Sequence, residues 1–314
     1  MKVLVTGAGG FVGEYLVRLL LEHKHQVVAM GVGNGEFLTV LKVPMYEVNI
    51  LDYDAVLSCM KQEKPDAVVH LAAISNVPLS WNEPGLTIDV NIHGTVNVLE
   101  ALTVVNPKAK FLNIGSSDEY GLAAKLGVPL TEDVLCQPQN PYAISKYCAE
   151  QMVLQLGKKN HMKVVHTRSF NHFGPGQAKG FVTSDFASQI AEIEKGIRRP
   201  IIKVGDLGAY RDFSFVSDVV TAYAALIECD VENGVYNICS GQARKVEEIL
   251  ETLVSLAKVK IDIEIDPEKF RPNDVPFFVG TCDKLKKATK WDSKYDFHKG
   301  LYEVLAYWRK HGMQ

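Results

Sequence analysis

The sequence of 314 residues has few cysteines, no excess of basic residues and no metal-ligand pattern. Its six cysteines include no Cys-x-x-Cys pair, which argues against a zinc site or a disulfide framework and favours reduced thiols. The nine histidines show no metal-ligand spacing, so we predict no metal. The formal net charge is -3, whereas a nucleic-acid-binding surface requires a basic excess, so we predict no nucleic-acid partner.

A membrane or secretory segment is also missing. The start MKVLVTG lacks the charged, apolar and small-residue succession of a signal peptide. No apolar run approaches the roughly 20 residues that span a bilayer. We therefore expect a cytoplasmic protein with no membrane partner. The chain is long enough for a substantial core and for two joined lobes.

Short apolar, β-branched runs alternate with helical patterns through the first half of the chain. The runs are KVLVTG, QVVAM, DAVVHLAA, KFLNIGSS and KVVHTRSF. Strands that are apolar on both faces and separated by helices predict crossover connections and a parallel sheet covered on both sides. The predicted fold class is therefore α/β, a doubly wound parallel sheet with a smaller C-terminal lobe.

The second half of the chain is predicted to be discontinuous in space. After Phe170 the alternation breaks into loops rich in glycine and proline. The stretch FSFVSDVVTAYAALIE is predicted to be helical and GVYNICSG to be a buried strand, which returns the chain to the first lobe. We predict a dinucleotide-binding domain of residues 1–170 plus 211–240, and a substrate-binding lobe of residues 171–210 plus 241–314.

The stretch VLVTGAGGFVG places three glycines between the first strand and the first helix. Glycines there let the backbone turn tightly and approach a pyrophosphate at the helix N-terminus. At the end of the second strand, an acidic residue would favour NAD and an arginine would favour NADP. Gly31 and Val32 stand there instead, so the sequence does not decide between NAD and NADP. The predicted cofactor-binding residues here and after two later strands are Gly7, Gly10, Phe11, Val12, Gly13, Asn49, Ile50, Leu71, Ala72 and Ala73.

The stretch QNPYAISK places Tyr142 four residues before Lys146, just after an Asn-Pro pair typical of a helix start. On a helix the two side chains share a face. An adjacent cation lowers the pKa of a phenol from about 10, so Tyr142 is predicted to exchange a proton near neutral pH. The alternative is a packed tyrosine beside a solvated lysine. At the end of KFLNIGSS, Ser116 is placed to hold a substrate oxygen near Tyr142.

The order of glycine loop, serine and Tyr-x-x-x-Lys resembles the extended short-chain dehydrogenase/reductase family over essentially the whole chain. The resemblance implies a Rossmann-type fold with Ser116, Tyr142 and Lys146 as the catalytic triad. It also implies that Tyr142 and Lys146 bind the cofactor, with Lys146 holding the nicotinamide ribose, and that Asn91 gives structural support. Relatives commonly dimerise, so we expect a homodimer formed through the helices around TVNVLEAL and YCAEQMVLQL.

Later stretches are similar to the sugar-nucleotide enzymes of this family. The resemblance assigns Asn171, Arg211, Arg271 and Asp274 to a nucleoside diphosphate, and the planar donor fork of arginine suits its phosphates. The alternatives are an ordinary ion pair of Arg211 with Asp212 and a surface charge at Arg271. The combination of FNHFGPGQAKGFVTSDF, PIIKVG and RDF looks most like the GDP-4-keto-6-deoxy-D-mannose reductases, which are cousins of GDP-mannose 4,6-dehydratase.

One position bears on the choice between reduction and dehydration. The dehydratases remove the C5 proton with a glutamate, and Asp118, which is one methylene shorter, stands at that position here. We keep Asp118 as a catalytic candidate but favour a reductase that passes hydride from NADH or NADPH to the C4 ketone of GDP-4-keto-6-deoxy-D-mannose. The product would be a GDP-6-deoxyhexose such as GDP-D-rhamnose. The alternatives are a 4,6-dehydratase or C4 epimerase with tightly bound NAD(P), and a dinucleotide sensor, which the intact triad disfavours.

Overall fold

A computed structural model of the protein describes residues 1–33, 35–269 and 275–312. The strands are Lys2–Thr6 (β1), Gln26–Gly31 (β2), Met45–Glu47 (β3), Ala67–His70 (β4), Lys110–Ile114 (β5), Lys163–Ser169 (β6), Asn171–Phe173 (β7), Ile201–Val204 (β8), Tyr210–Phe215 (β9), Gly234–Ile238 (β10), Ala243–Lys245 (β11), Asp262–Ile265 (β12) and Phe277–Phe278 (β13). The α-helices are Phe11–Glu22 (α1), Glu36–Val40 (α2), Tyr53–Glu63 (α3), Val77–Asn82 (α4), Pro84–Ile88 (α5), Thr95–Val105 (α6), Pro141–Lys159 (α7), Val182–Glu194 (α8), Val216–Glu228 (α9), Val246–Ser255 (α10), Asp283–Thr289 (α11) and Phe297–His311 (α12).

The main sheet has seven strands in the order β3-β2-β1-β4-β5-β6-β10. Every neighbouring pair in it is parallel. The predicted doubly wound parallel sheet is therefore confirmed. Because the strands run in one direction, the loops that follow them meet at a single edge of the sheet, where open α/β folds bind their ligands.

Both faces of this sheet are covered by helices. Successive residues of a strand point to opposite faces, and in β1 Val3 and Val5 join the core beneath α1 and α9, whereas Leu4 joins the core beneath α3 and α6. All three residues are fully buried. This double burial explains why the strands of the main sheet have continuous apolar runs.

A smaller sheet is centred on β9, which pairs in parallel with β7 and β13 and antiparallel with β11. The predicted helix in FSFVSDVVTAYAALIE starts too early, because Phe213–Phe215 belongs to β9 and α9 begins at Val216. The aromatic rings of Phe213 and Phe215 pack edge-on against Phe173, which holds this segment as a strand. The buried strand in GVYNICSG is confirmed as β10, which pairs with β6, while the division into two domains stays a prediction.

Two further elements complete the fold. Strands β8 and β12 form a separate parallel pair. Helix α12 packs against α8 and α10. Among the helices of the described residues, none combines the length and the apolar character needed to cross a membrane.

Candidate active site

The glycine loop connects β1 to α1 and brings the backbone of two strands together. Gly7 has a φ of +65°, and a Cβ atom there would lie 2.8 Å from the backbone nitrogen of Ala72. A Cβ atom at Gly13 would lie 2.3 Å from the Ala8 carbonyl oxygen. Both positions therefore require glycine. The structure thus places Gly7 beside Leu71 and Ala72, two residues that the sequence assigns to the same cofactor site.

The residues at this loop fit a dinucleotide. Helix α1 begins at Phe11 after Gly10, and no side chain of the described residues caps its first turn. The N–H groups of an uncapped first turn lack partners within the helix and favour a negatively charged group. Gly10 is exposed, and Phe11 and Val12 are partly exposed, so this helix end is open to a ligand. A pyrophosphate is negatively charged and can accept hydrogen bonds from these N–H groups, so it fits this helix end.

A buried chain of hydrogen bonds, which the sequence analysis missed, holds the loop after β4. The Thr6 hydroxyl lies 2.7 Å from His70 Nδ1, and His70 Nε2 lies 2.9 Å from Thr95 Oγ1. Because Thr95 donates its own proton to the Asn91 carbonyl, it accepts from His70 Nε2. Burial lowers the pKa of His70 to about 3, which keeps the ring neutral. Thr6 Oγ1 in turn accepts a hydrogen bond from the Ala72 amide.

Asn91 has the structural position that the resemblance implies. It lies in a π-helical segment, Asp89–Gly94, between α5 and α6 and is fully buried. Its side-chain oxygen accepts from the Ile74 amide, and its side-chain nitrogen donates to the Ile74 carbonyl and to Ser145 Oγ. Asn91 thereby ties the loop after β4, which contains Ala73, to helix α7.

Asn49 and Ile50 follow β3 at the outer end of the same sheet edge. The Asn49 side chain is exposed and accepts from the Leu51 amide, which forms a local turn. Ile50 is buried, and its side chain fills the space beside Gly94. Asn49 is thus open to a ligand, whereas Ile50 is mainly a core residue. Their assignment to the cofactor site stays a prediction.

Helix α7 begins where the Asn-Pro pair predicts. Asn140 is its N-cap and accepts from the Ala143 amide at 2.8 Å, and Pro141 occupies the first turn. Tyr142 is partly exposed, whereas Lys146 is buried, and the Lys146 ammonium donates to the Ile114 carbonyl at 2.7 Å. The alternative of a solvated lysine is therefore wrong. Lys146 lies against the end of β5, two residues before Ser116.

The phenol of Tyr142 and the hydroxyl of Ser116 lie together. A side-chain hydrogen bond between them acts to lower the pKa of Tyr142, but burial among the surrounding protein atoms, reinforced by the charge of Asp118, raises that pKa above its usual value. The predicted lowering of the Tyr142 pKa is therefore wrong. Burial also lowers the pKa of Lys146 to about 8. The structure brings the three triad residues together, and their catalytic roles stay predictions.

Ser116 is the N-cap of a short 3₁₀-helix, Ser117–Tyr120, that follows β5. Ser116 Oγ accepts from the Asp118 amide at 3.1 Å, and the Glu119 side chain accepts from the Ser116 amide at 2.7 Å. Asp118 is half-buried, whereas Glu119 is fully buried. The two neighbouring acids therefore have different environments. The sequence pattern assigns no role to Glu119.

The substrate residues lie on the smaller sheet. Asn171 starts β7, is exposed and pairs with Phe213 in β9, and Arg211 is the second residue of β9. Arg211 is partly exposed and donates to the Tyr210 and Val275 carbonyls. Asp212 is buried and accepts from Ser240 and from the amides of Gly241 and Gly280. The other two predicted residues, Arg271 and Asp274, lie outside the described residues.

The glycine loop and the segment after β7 are in direct contact. The ring of Phe11 stacks on His172 with a centroid distance of 6.4 Å. The Tyr15 hydroxyl donates to the Pro175 carbonyl at 2.9 Å. The predicted cofactor loop and the stretch HFGPG therefore pack against each other.

The prediction of no metal, which rested on sequence spacing, stays a prediction. His23 and His25 both contact Glu228 Oε1 at the surface, at 2.7 and 2.9 Å. This cluster joins the end of α1, the start of β2 and the end of α9. Glu228 is more than 200 residues from His23 and His25 in the sequence, so the spacing of the histidines does not predict this cluster.

Comparison with known proteins supports the same family. Residues 4–304 match the model of the GDP-mannose 4,6 dehydratase family. The GDP-6-deoxy-D-mannose reductase of Pseudomonas aeruginosa is 36% identical over 98% of this chain and 97% of its own length. The structure of RMD from Pseudomonas aeruginosa complexed with NADPH has a TM-score of 0.88 and 34% identity over 98% of this chain and 99% of that one. The UDP-glucose 4-epimerase of Thermus thermophilus in complex with NAD has a TM-score of 0.88 and 28% identity over 99% of this chain and 100% of that one.

The chain belongs to the GDP-mannose 4,6-dehydratase family. The match spans nearly the whole chain, and the solved relatives are extended short-chain dehydrogenases/reductases. The predicted resemblance to that family is therefore confirmed. The prediction of an oxidoreductase of the extended short-chain type is confirmed with it.

Proposed function

We propose that the protein is an NAD(P)H-dependent reductase of the C4 ketone of GDP-4-keto-6-deoxy-D-mannose, with a GDP-6-deoxyhexose such as GDP-D-rhamnose as its product. The observation that carries the proposal is the convergence of Ser116, Tyr142 and Lys146 at one sheet edge in a chain that is similar throughout to a GDP-6-deoxy-D-mannose reductase. The cofactor is NADPH or NADH, because relatives have been solved with NADPH and with NAD.

The three side chains have complementary chemical tasks in this proposal. Ser116 orients the C4 oxygen by a hydrogen bond, and Tyr142 donates its phenolic proton to that oxygen. Lys146 remains protonated below a pKa of about 8 and stabilises the phenolate that Tyr142 becomes. When bound, the reduced nicotinamide supplies the hydride. The uncapped N-terminus of α1 would hold its pyrophosphate, and Lys146 its nicotinamide ribose.

The substrate would lie between the catalytic edge and the smaller sheet. Asn171 offers an exposed amide, and Arg211 a partly exposed guanidinium, on neighbouring strands. A guanidinium pairs well with a diphosphate oxygen. Arg271 and Asp274, which lie outside the described residues, stay in the proposal as further contacts to the nucleotide.

Two other enzymatic functions are supported by specific observations. A 4,6-dehydratase is supported by the name of the matching family and by the half-buried Asp118 beside Tyr142. A C4 epimerase is supported by the similarity to the Thermus UDP-glucose 4-epimerase, which was solved with NAD. Both would keep NAD(P) tightly bound and recycle it, whereas the proposed reductase exchanges it at every turnover.

The proposal includes a homodimer in the cytoplasm. Ile144 and Met152 are exposed apolar residues on α7, eight positions apart on one helix face, and Val104 is exposed on α6. All six cysteines are free thiols, as expected in a reducing compartment. Light scattering of the purified protein and of Met152→Glu tests the dimer, which we expect to dissociate in the variant.

The first experiment is to follow NADH or NADPH oxidation by absorbance with GDP-4-keto-6-deoxy-D-mannose. We expect oxidation by the native protein and a fall of roughly 10²- to 10⁴-fold in kcat for Tyr142→Phe, which removes the donated proton. Tyr147→Phe, five residues along the same helix, is the matched control and should keep its activity.

The opposite outcome identifies the alternatives. If the folded, cofactor-binding protein oxidises neither nucleotide, the reductase proposal is wrong. Loss of GDP-mannose without net change in nicotinamide absorbance would then establish the dehydratase, with Asp118 as the base. Equal oxidation by Tyr142→Phe and the native protein would remove Tyr142 from the mechanism.

A further inference from the structure

A buried carboxyl group lies directly behind the catalytic serine. Glu119 is fully buried, and its Oε1 accepts from the Ser116 amide at 2.7 Å. His166 Nε2 lies 3.1 and 3.3 Å from its two carboxyl oxygens. The side-chain amide of Asn113 donates to His166 Nδ1 at 2.9 Å. The proton of the neutral ring is therefore on Nε2 and points to Glu119.

Gly115 makes the space in which these groups meet. A Cβ atom there would lie 2.1 Å from His166 Nε2 and 2.4 Å from Glu119 Oε1. No other residue fits between β5 and β6 at this point without displacing one of the two side chains. Gly115, Glu119 and His166 therefore form one interdependent unit, joined through the backbone to Ser116.

The charge of Glu119 acts on the catalytic lysine, whose ammonium is bound to the Ile114 carbonyl two residues before Ser116. Arg168 binds Glu150 through two hydrogen bonds of 2.9 Å and lies 3.7 Å from Glu119. Burial lowers the pKa of His166 to about 3, so the ring adds no charge. Burial raises the pKa of Glu119 to about 7, and it lowers the pKa of Lys146 to about 8 against the opposing charge of Glu119. Glu119 thus acts to keep Lys146 protonated.

We propose that Glu119 is a positioning residue of the reductase, which fixes Ser116 through its backbone amide and holds Lys146 as an ammonium ion during proton transfer. The inference rests on the proposed function for its catalytic meaning. It adds a residue that touches neither the substrate nor the cofactor and acts through Ser116 and Lys146.

Other titratable groups face this pair from each packed element. They are His70 on β4, Cys136 on the loop before α7, Tyr142, Tyr147 and Glu150 on α7, and His166 and Arg168 on β6. His70 and His166 are neutral, and Glu150 is paired with Arg168. Arg168, whose pKa is raised, stays charged at alkaline pH, so the titrating cation that responds to removal of the Glu119 charge is Lys146.

The test is the pH dependence of kcat/KM for nicotinamide oxidation in the full-length protein, with Glu119→Gln beside Glu232→Gln, an exposed acid remote in sequence. Lys146 is charged only below its pKa, so activity falls as the pH rises through that value. Without the Glu119 charge the pKa of Lys146 falls, and the alkaline limb should move to lower pH by about one unit. Glu232→Gln should leave the limb in place.

A purely structural role makes a different prediction. A lowered kcat with an unmoved alkaline limb would overturn the proposal. If Glu119→Gln unfolds in buffer alone, its pH profile is measured with added sucrose, which favours the compact folded state. The same shift of the alkaline limb is expected under these conditions.

A second measurement separates this inference from the proposed function. The titration of Lys146 is followed by NMR of ¹³C-labelled lysine, with the signal assigned by its loss in Lys146→Met. We expect its pKa to fall in Glu119→Gln even if the native protein oxidises no nicotinamide nucleotide with the proposed substrate. An unchanged Lys146 pKa would refute the inference, whereas missing activity alone refutes the reductase.

Discussion

At the end of β1 the main sheet is packed by close contacts between backbone segments, whereas at the end of β5 it is packed by buried charged side chains. Gly7 and Gly13 bring strands and helix so close that a Cβ atom would collide with the neighbouring backbone. Around β5 and β6, by contrast, Lys146, Glu119 and Arg168 are buried and balance one another's charges. An added side-chain atom destabilises the first region, whereas the loss of a charged partner destabilises the second.

The largest expected effect tests the charged region. Arg168→Met removes the partner of Glu150 and leaves two buried carboxyl groups near each other. We expect the free energy of unfolding to fall by about 3–5 kcal/mol, as for other buried pairs that lose one member. Urea denaturation at pH 7 measures it.

The matched control is Arg18→Met, which breaks an exposed pair of residues with Glu14 on α1. An exposed pair four residues apart on a helix contributes only about 0.3–0.5 kcal/mol. Equal effects of the two substitutions would show that the buried charges do not depend on one another, and the contrast between the two regions would be lost.

The next effect tests the backbone region. Gly13→Ala places a methyl group within 2.3 Å of the Ala8 carbonyl oxygen in the first turn of α1. We expect a loss of about 1–3 kcal/mol in stability from overpacking, together with weaker cofactor binding. Fluorescence titration with NADPH measures the binding.

Gly85→Ala is the control for this change, because a Cβ atom on Gly85 in α5 meets no atom within 4 Å. It should leave cofactor affinity unchanged. A Gly13→Ala protein with native affinity would mean that the loop relaxes easily and is not held by close approach.

The smallest effect is expected at Asp118, beside the charged region. Asp118 is half-buried and raises the pKa of Tyr142 through its charge. In a reductase, Asp118→Asn should change kcat by less than about fivefold, which corresponds to about 1 kcal/mol for a partly solvated charge. A loss of roughly a hundredfold would instead mark Asp118 as a base and favour the dehydratase.

Much of the site was predictable because its signals are local. The glycine spacing, the Asn140-Pro141 helix start and the four-residue step from Tyr142 to Lys146 all act within one element or one turn. The sequence predicts that helix α9 starts at Phe213, three residues before its observed start at Val216. The short aromatic run from Phe213 to Phe215 is compatible with a strand or a helix, so it does not mark the boundary.

The missed features join residues that are far apart in the chain. Thr6 and His70 are 64 residues apart, and Glu119 and His166 are 47 apart. An apolar pattern predicts that such positions are buried but does not predict their partners. The raised pKa of Tyr142 was missed for a related reason, because helical spacing reveals a neighbouring lysine but not the burial around the phenol.

The π-helical segment Asp89–Gly94 makes chain length itself a requirement of the site. A π-helical turn contains one more residue than an α-helical turn, and here it directs the Asn91 side chain to Ile74 and Ser145. Deletion of a single residue before Asn91 would restore an α-helix and turn this side chain by about 100° around the helix axis. Insertions and deletions in this segment are therefore less well tolerated than substitutions.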